Sequence, residues 1–106
     1  MENAADVGDF LIGKLKELAD RHSLIGEVRG KGLMIGIELV SDRVSKAPAS
    51  AERDALVMAA FRRGLLILAA GQSTIRISPP LVLTKDQAEV AVRLLDESLT
   101  ELARAQ

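Results

Sequence analysis

The sequence contains no cysteine, no tryptophan and no tyrosine, and it has a single histidine, His22. Without cysteine there is no disulfide, no thiolate nucleophile and no sulfur ligand for a metal. One imidazole does not build a histidine metal site, so no metal is expected. Phe10 and Phe61 are the only aromatic residues, too few to stack the bases of a single-stranded nucleic acid. An excess of either charge is also missing. Lys and Arg number 14 against 15 Asp and Glu, a formal net charge of −1. The basic residues form no stripe that would follow a phosphate backbone, which argues against a nucleic-acid partner. No apolar run approaches the roughly 20 residues of a membrane-spanning helix. The N-terminus lacks the basic-then-apolar order of a signal peptide, so a cytoplasmic protein away from membranes is expected.

What is present is aliphatic. Hydrophobic residues make up 48% of the 106 positions, and a single domain of this size buries roughly two-thirds of the surface of its unfolded chain. From Asn3 to His22, apolar residues at Val7, Phe10, Leu11, Leu15 and Leu18 follow one helical face. Glu17 and Arg21 form a favourable four-residue pair on the polar side, and Gly26 is read as the end of this helical region. A short strand over Glu27–Arg29 leads to Gly30-Lys31-Gly32, read as a turn rather than a phosphate loop because a strand and not a helix follows. Leu33 to Val40 is the longer strand. Its alternation puts Leu33, Ile35, Ile37 and Leu39 on one face and Met34, Gly36, Glu38 and Val40 on the other. A glycine inside a strand suggests a bulge or the close approach of another backbone, and Gly36 is read that way.

Residues 41–50 read as a polar loop. Ala51–Arg63 is expected to be helical, with Ser50 as N-cap and Gly64 as stop. Leu65–Ala69 is a short strand, Gly71-Gln72-Ser73 a turn and Thr74–Ser78 a further strand that Pro79-Pro80 terminates. Thr84-Lys85-Asp86-Gln87 has the form of a capping box, with Leu83 and Ala88 placed for a hydrophobic staple. The helix that follows carries Ala88, Ala91, Val92, Leu95, Leu99 and Leu102 on one face, with Arg104 near its end. The order α-β-β-α-β-β-α predicts an α+β fold, a small and mainly antiparallel sheet with helices on one face.

The strand Thr74-Ile75-Arg76-Ile77-Ser78 carries the chemistry. Ile75 and Ile77 point to the helices, while Thr74, Arg76 and Ser78 point to the opposite face. An arginine fork there suits a carboxylate, which it binds through two parallel charge-assisted hydrogen bonds that lysine does not reproduce. Two plainer roles stay open for Arg76: covering apolar surface, or pairing with Glu38. None of Lys14, Lys16, Lys31, Lys46 and Lys85 stands where burial or a neighbouring cation suggests a Schiff base. His22 reads as a partner for its helix dipole. No pair of carboxylates points inward at catalytic spacing, so no catalytic residue is assigned.

Together these blocks bring a family into view. Glu2-Asn3 opens the first helix, and a run from Ile25 through Val28-Arg29-Gly30-Lys31-Gly32-Leu33-Met34 to Leu39 follows. Then come Gly64-Leu65-Leu66, the block Ile75-Arg76-Ile77-Ser78-Pro79-Pro80-Leu81 and the last helix after Leu83-Thr84. In content, order and gaps the sequence resembles the C-terminal end of class-III aminotransferases, over almost its whole length. The resemblance implies the small C-terminal domain of the aspartate aminotransferase-like fold, occupying 1–106, with the large cofactor-binding domain lying elsewhere. It implies pyridoxal phosphate in the full-length enzyme, held by a lysine of that other domain and not by this chain. It also implies a homodimer with active sites at the subunit interface. In the 4-aminobutyrate branch, the preferred assignment, the arginine at the position of Arg76 binds the α-carboxylate of glutamate or 2-oxoglutarate. Acetylornithine, ornithine and ω-amino acid aminotransferases share these blocks, and racemases and phospho-lyases share the scaffold. Ala69-Ala70-Gly71-Gln72 departs from the cysteine or bulkier residue that many relatives place before the glycine. The contrasting expectation is a free-standing amino-acid-binding or oligomerisation module without catalysis.

Overall fold

A computed structural model of the chain describes residues 2–31, 34–42, 44–77 and 84–105. The elements run α1 (Glu2–Arg21), β1 (Ile25–Lys31), β2 (Met34–Asp42), β3 (Ala47–Pro48), α2 (Ser50–Arg62), β4 (Leu68–Ala70), β5 (Thr74–Ile77) and α3 (Lys85–Ala105). The strands form one antiparallel sheet in the order β1-β2-β5-β4, and β3 pairs with the far end of β2. This is the expected α+β arrangement, with one addition. The polar stretch 41–50 is not all loop, because β2 continues to Asp42 and the two residues of β3 return along it.

Alternation on β2 and β5 decides which side the helices take. Ile35, Ile37, Leu39, Ile75 and Ile77 are buried, together with Val28 of β1. Against them pack Val7, Leu11, Leu15 and Leu18 of α1, Leu56, Ala59 and Ala60 of α2, and Ala88, Leu95, Leu99 and Leu102 of α3. Each such Val, Leu or Ile side chain taken out of water contributes about 1.5–3 kcal/mol, so the apolar face of the sheet and the three helix stripes hold one another. Ser98 is fully buried within this layer, and its hydroxyl donates to the Leu94 carbonyl at 2.7 Å.

Helix ends follow local chemistry in two cases out of three. The capping box at Thr84 is complete: the Gln87 amide donates to Thr84 Oγ1 at 3.1 Å, and the Thr84 amide donates to Gln87 Oε1 at 3.0 Å. Gly64 stops α2 with φ at +88°, while its own amide donates to the Phe61 carbonyl and that of Leu65 to the Ala60 carbonyl. That pair of bonds is the Schellman motif, which needs the left-handed conformation glycine takes without strain. Ser50 does not cap α2. The residue before the helix is Ala49, which provides no side-chain cap. The Ser50 hydroxyl instead donates to the Gln72 carbonyl at 2.5 Å, and Arg53 Nη1 donates to the Gly71 carbonyl at 2.6 Å. Both bonds fasten the start of α2 to the β4–β5 turn. The strand expected at Leu65–Ala69 begins three residues later, at Leu68, because Leu65 belongs to the helix stop and Ile67 is drawn into the core.

Two glycines exchange their expected parts. Gly26 does not end α1, which stops at Arg21, but lies in β1 where the register with β2 shifts between Ile25 and Glu27. A Cβ at Gly26 would fall 2.7 Å from Cγ1 of the buried Val40. Gly36, where a close approach was expected, meets nothing nearer than Thr74 Cγ2 at 3.9 Å. Gly30 and Lys31 are paired residues of β1 and not a turn. Gly32, Leu33, Ser78, Pro79-Pro80, Leu81 and the staple residue Leu83 lie outside the described residues.

Two outcomes follow. Gly26→Ala should cost about 1–3 kcal/mol by overpacking against Val40, whereas Gly36→Ala should leave stability unchanged or raise it by up to about 1 kcal/mol; urea unfolding followed by circular dichroism checks both. At the α2–α3 contact, the hydrogen bond from Arg63 and the charge of Arg62 hold the Glu101 carboxyl below its ordinary range. A carboxyl depressed on folding contributes stability that is present above its unfolded value and lost as pH falls through its folded one. Arg63→Met should therefore flatten the decline of the urea midpoint between about pH 6 and pH 3.

Candidate functional site

The side of the sheet away from the helices is where polar side chains gather. Cross-strand register sets them in two rows. One row runs Arg29, Gly36, Arg76 and Leu68 across β1, β2, β5 and β4, and the next runs Glu27, Glu38, Thr74 and Ala70. Period-two alternation sends all eight positions to the same face. None of them is buried. The sequence reading of Arg76 holds in its geometry: the residue is exposed between the buried Ile75 and Ile77, on the open face beside Thr74.

The plainer pairing of Arg76 with Glu38 is not what the structure holds. Glu38 Oε2 accepts from Arg29 Nη2 at 2.8 Å, and its Oε1 accepts from Thr74 Oγ1 at 3.0 Å. Arg29 Nη1 also donates to Glu27 Oε2 at 3.1 Å. The two acids of the face thus gather around Arg29, and among the described residues Arg76 makes no hydrogen bond or ion pair. Its neighbours in the row are a glycine and Leu68, which is 54% exposed. The Arg76 guanidinium thus has a glycine on one flank and an exposed apolar side chain on the other.

An open cavity of about 650 Å³ adjoins this face, reaching Glu38, Thr74, Gln72 and Lys46 but not Arg76. Asp20, Glu27 and Glu38 stand around it, against Lys46 alone among the described cations, so its described lining does not favour an anion.

His22 is a fastening and not a site. Its Nε2 lies 2.6 Å from Asp96 Oδ1, while Arg21 Nη1 donates to Asp96 Oδ2 at 3.2 Å, tying the end of α1 to α3. Among the described residues no cluster of His, Cys, Asp or Glu has the make-up of a metal site. No helix described is long and apolar enough to cross a membrane. Lys14 and Lys85 lie over the Phe10 ring, 5.6 and 5.8 Å from its centre, and Lys16 and Lys46 are exposed. None of these four is buried, whereas a Schiff-base lysine stands in a desolvated pocket or beside another cation.

Comparison with known proteins places the whole arrangement. The model of the family "Aminotransferase class-III" matches residues 1–99. The chain belongs to the class-III aminotransferase family. It is 46% identical to alanine–glyoxylate aminotransferase 2 homolog 2 of Arabidopsis thaliana over 103 residues, covering 95% of this chain and 22% of that protein. It is 41% identical to an alanine/serine racemase of Pyrococcus horikoshii, covering 95% of this chain and 21% of the racemase. It is also 37% identical to taurine–pyruvate aminotransferase of Rhodobacter capsulatus, covering 97% and 24%. Among solved structures, an amine transaminase from an uncultivated Pseudomonas species, bound to pyridoxal phosphate as the internal aldimine, superposes with a TM-score of 0.88 at 39% identity. That match covers 94% of this chain and 23% of the transaminase. The chain thus spans about a fifth of the length of these relatives, and the fold is that of a transaminase domain.

What sequence reasoning missed at the site is Arg29 and its hold on Glu38. The register carries it: counting back from the Lys31–Met34 pair sets Arg29 opposite Gly36, and a strand ending at Arg29 stops short of that pair.

Proposed function

We propose that this chain is the C-terminal small domain of a pyridoxal-phosphate-dependent transaminase, and that Arg76 binds the carboxylate of the amino acid or oxo acid substrate. The observation that carries the reading is the unpaired guanidinium of Arg76 on the open face of the sheet, in a chain of the class-III aminotransferase family. Both oxygens of Glu38, the carboxylate on the diagonal from Arg76, are already engaged. Pyridoxal phosphate supplies the electron sink of amino transfer when bound. The family resemblance implies an anchoring lysine in the rest of the enzyme. Covering the open face falls to that same large domain, and the family resemblance supports a homodimer.

Which oxo acid accepts the amino group is read at the level of chemistry. The 4-aminobutyrate type, with 2-oxoglutarate as acceptor, follows from the motif blocks. The names of the relatives point to shorter compounds, glyoxylate and pyruvate among them. All three acceptors are α-oxo acids, and the α-carboxylate is the part an arginine fork reads.

In the enzyme that includes this chain, Arg76→Gln should weaken the KM for the oxo acid by about 10- to 100-fold, the scale of a charge-assisted hydrogen-bond pair. Arg76→Lys should recover only part of that, since an ammonium keeps the charge and loses the fork. A donor amine without a carboxylate should be far less affected. Equal losses for both substrates in steady-state kinetics would count against the assignment.

A further inference from the structure

The pairing on the open face is a choice between two arginines. Glu38 lies directly opposite Glu27 on one side and Thr74 on the other, while Gly36, two positions away on the same face, lies opposite Arg29 and Arg76. Glu38 therefore has an arginine on the diagonal across each neighbouring strand, both toward the Gly36 row. Diagonal neighbours are roughly 7–8 Å apart, within reach of long side chains. The carboxylate goes to Arg29, at 2.8 Å, and Thr74 donates to its second oxygen at 3.0 Å. Glu27 braces Arg29 from behind at 3.1 Å.

From this geometry we infer that Arg29 is a positioning residue: it holds Glu38 off Arg76 and so keeps the Arg76 fork open to a ligand carboxylate. The inference rests on Arg76 being the carboxylate binder and extends it to what preserves that state. Without Arg29, Glu38 is a tethered carboxylate one diagonal from Arg76, while Lys46 stands in the β2–β3 turn across the adjoining cavity and not in the strand rows. It then occupies the fork that the substrate needs. Glu38 is the competitor, Arg29 removes it and Thr74 fixes its orientation. Gly36 keeps the space between the two arginines free of any side chain.

The test is a double-variant cycle with two readouts. In the enzyme that includes this chain, Arg29→Gln should raise the KM for the best α-oxo acid among glyoxylate, pyruvate and 2-oxoglutarate by roughly two- to fivefold, the range set by exposed ion pairs. Adding Glu38→Gln should restore it, because the competing charge is gone. A merely structural Arg29 gives the opposite pattern, with the second substitution leaving the loss in place or deepening it. The second readout needs no substrate. In the ¹⁵N-labelled chain, the Arg76 Nε–Hε resonance should move in Arg29→Gln and return in Arg29→Gln/Glu38→Gln. An unmoved Arg76 resonance, or a double variant that keeps the raised KM, overturns the inference while leaving Arg76 as carboxylate binder. An Arg76→Gln enzyme with unchanged KM overturns the carboxylate reading itself, and the resonance then decides the competition alone.

Discussion

The structure depends on one-sided burial. On β5, and on β2 from Ile35 to Leu39, every second side chain is aliphatic and the residues between are small or polar, so this part of the sheet has a single face to give to a core. Three helices with apolar stripes take that face, and among the described residues no helix lies over the other side. Had the alternation been replaced by continuous apolar runs, as in sheets covered on both sides, the polar rows would have no place to form. The open face is therefore a consequence of the core's arrangement, and the position of Arg76 follows from the same count of two that buries Ile75 and Ile77.

Much of this was legible because it depends on periodicity and on local bonds. Leu11, Leu15 and Leu18 share a helical face whatever surrounds them, and they are buried. Thr84 and Gln87 satisfy each other's amides across three residues, with no need of the rest of the fold. Gly64 needs only its own left-handed backbone. The side to which Arg76 projects is of the same kind, since a strand side chain has two directions to choose from and its neighbours fix which one is core.

What was not legible depends on pairs distant in sequence. Ser50 has the composition of an N-cap, and a cap is what local chemistry predicts, but the β4–β5 turn brings the Gln72 carbonyl within reach of its hydroxyl. Gly26 and Gly36 look alike in the sequence. Only the register shift beside Ile25 shows that Val40 packs onto the first, while the second has open space over it. The partner of Glu38 is likewise a matter of register, since Arg29 and Arg76 are equivalent by composition and differ in which acids flank them.

That difference has an energetic meaning that the isolated chain does not express. In water, ion pairs as exposed as Arg29 with Glu38 contribute little to stability, typically below about 1 kcal/mol. The network is thus no pillar of the fold, which stands on the aliphatic core. Its weight changes when the face is covered. Taking an ion out of water costs several kcal/mol unless an opposite charge and hydrogen bonds accompany it. Arg29 meets that condition already, through Glu27 and Glu38. Arg76 does not, so any surface that closes over this sheet must bring an acceptor to it or leave a path for one. A small carboxylate is the least demanding answer, because it arrives with its own charge and matches the two parallel bonds of the fork. The imbalance that makes Arg76 costly to bury on its own is what such an acceptor would relieve.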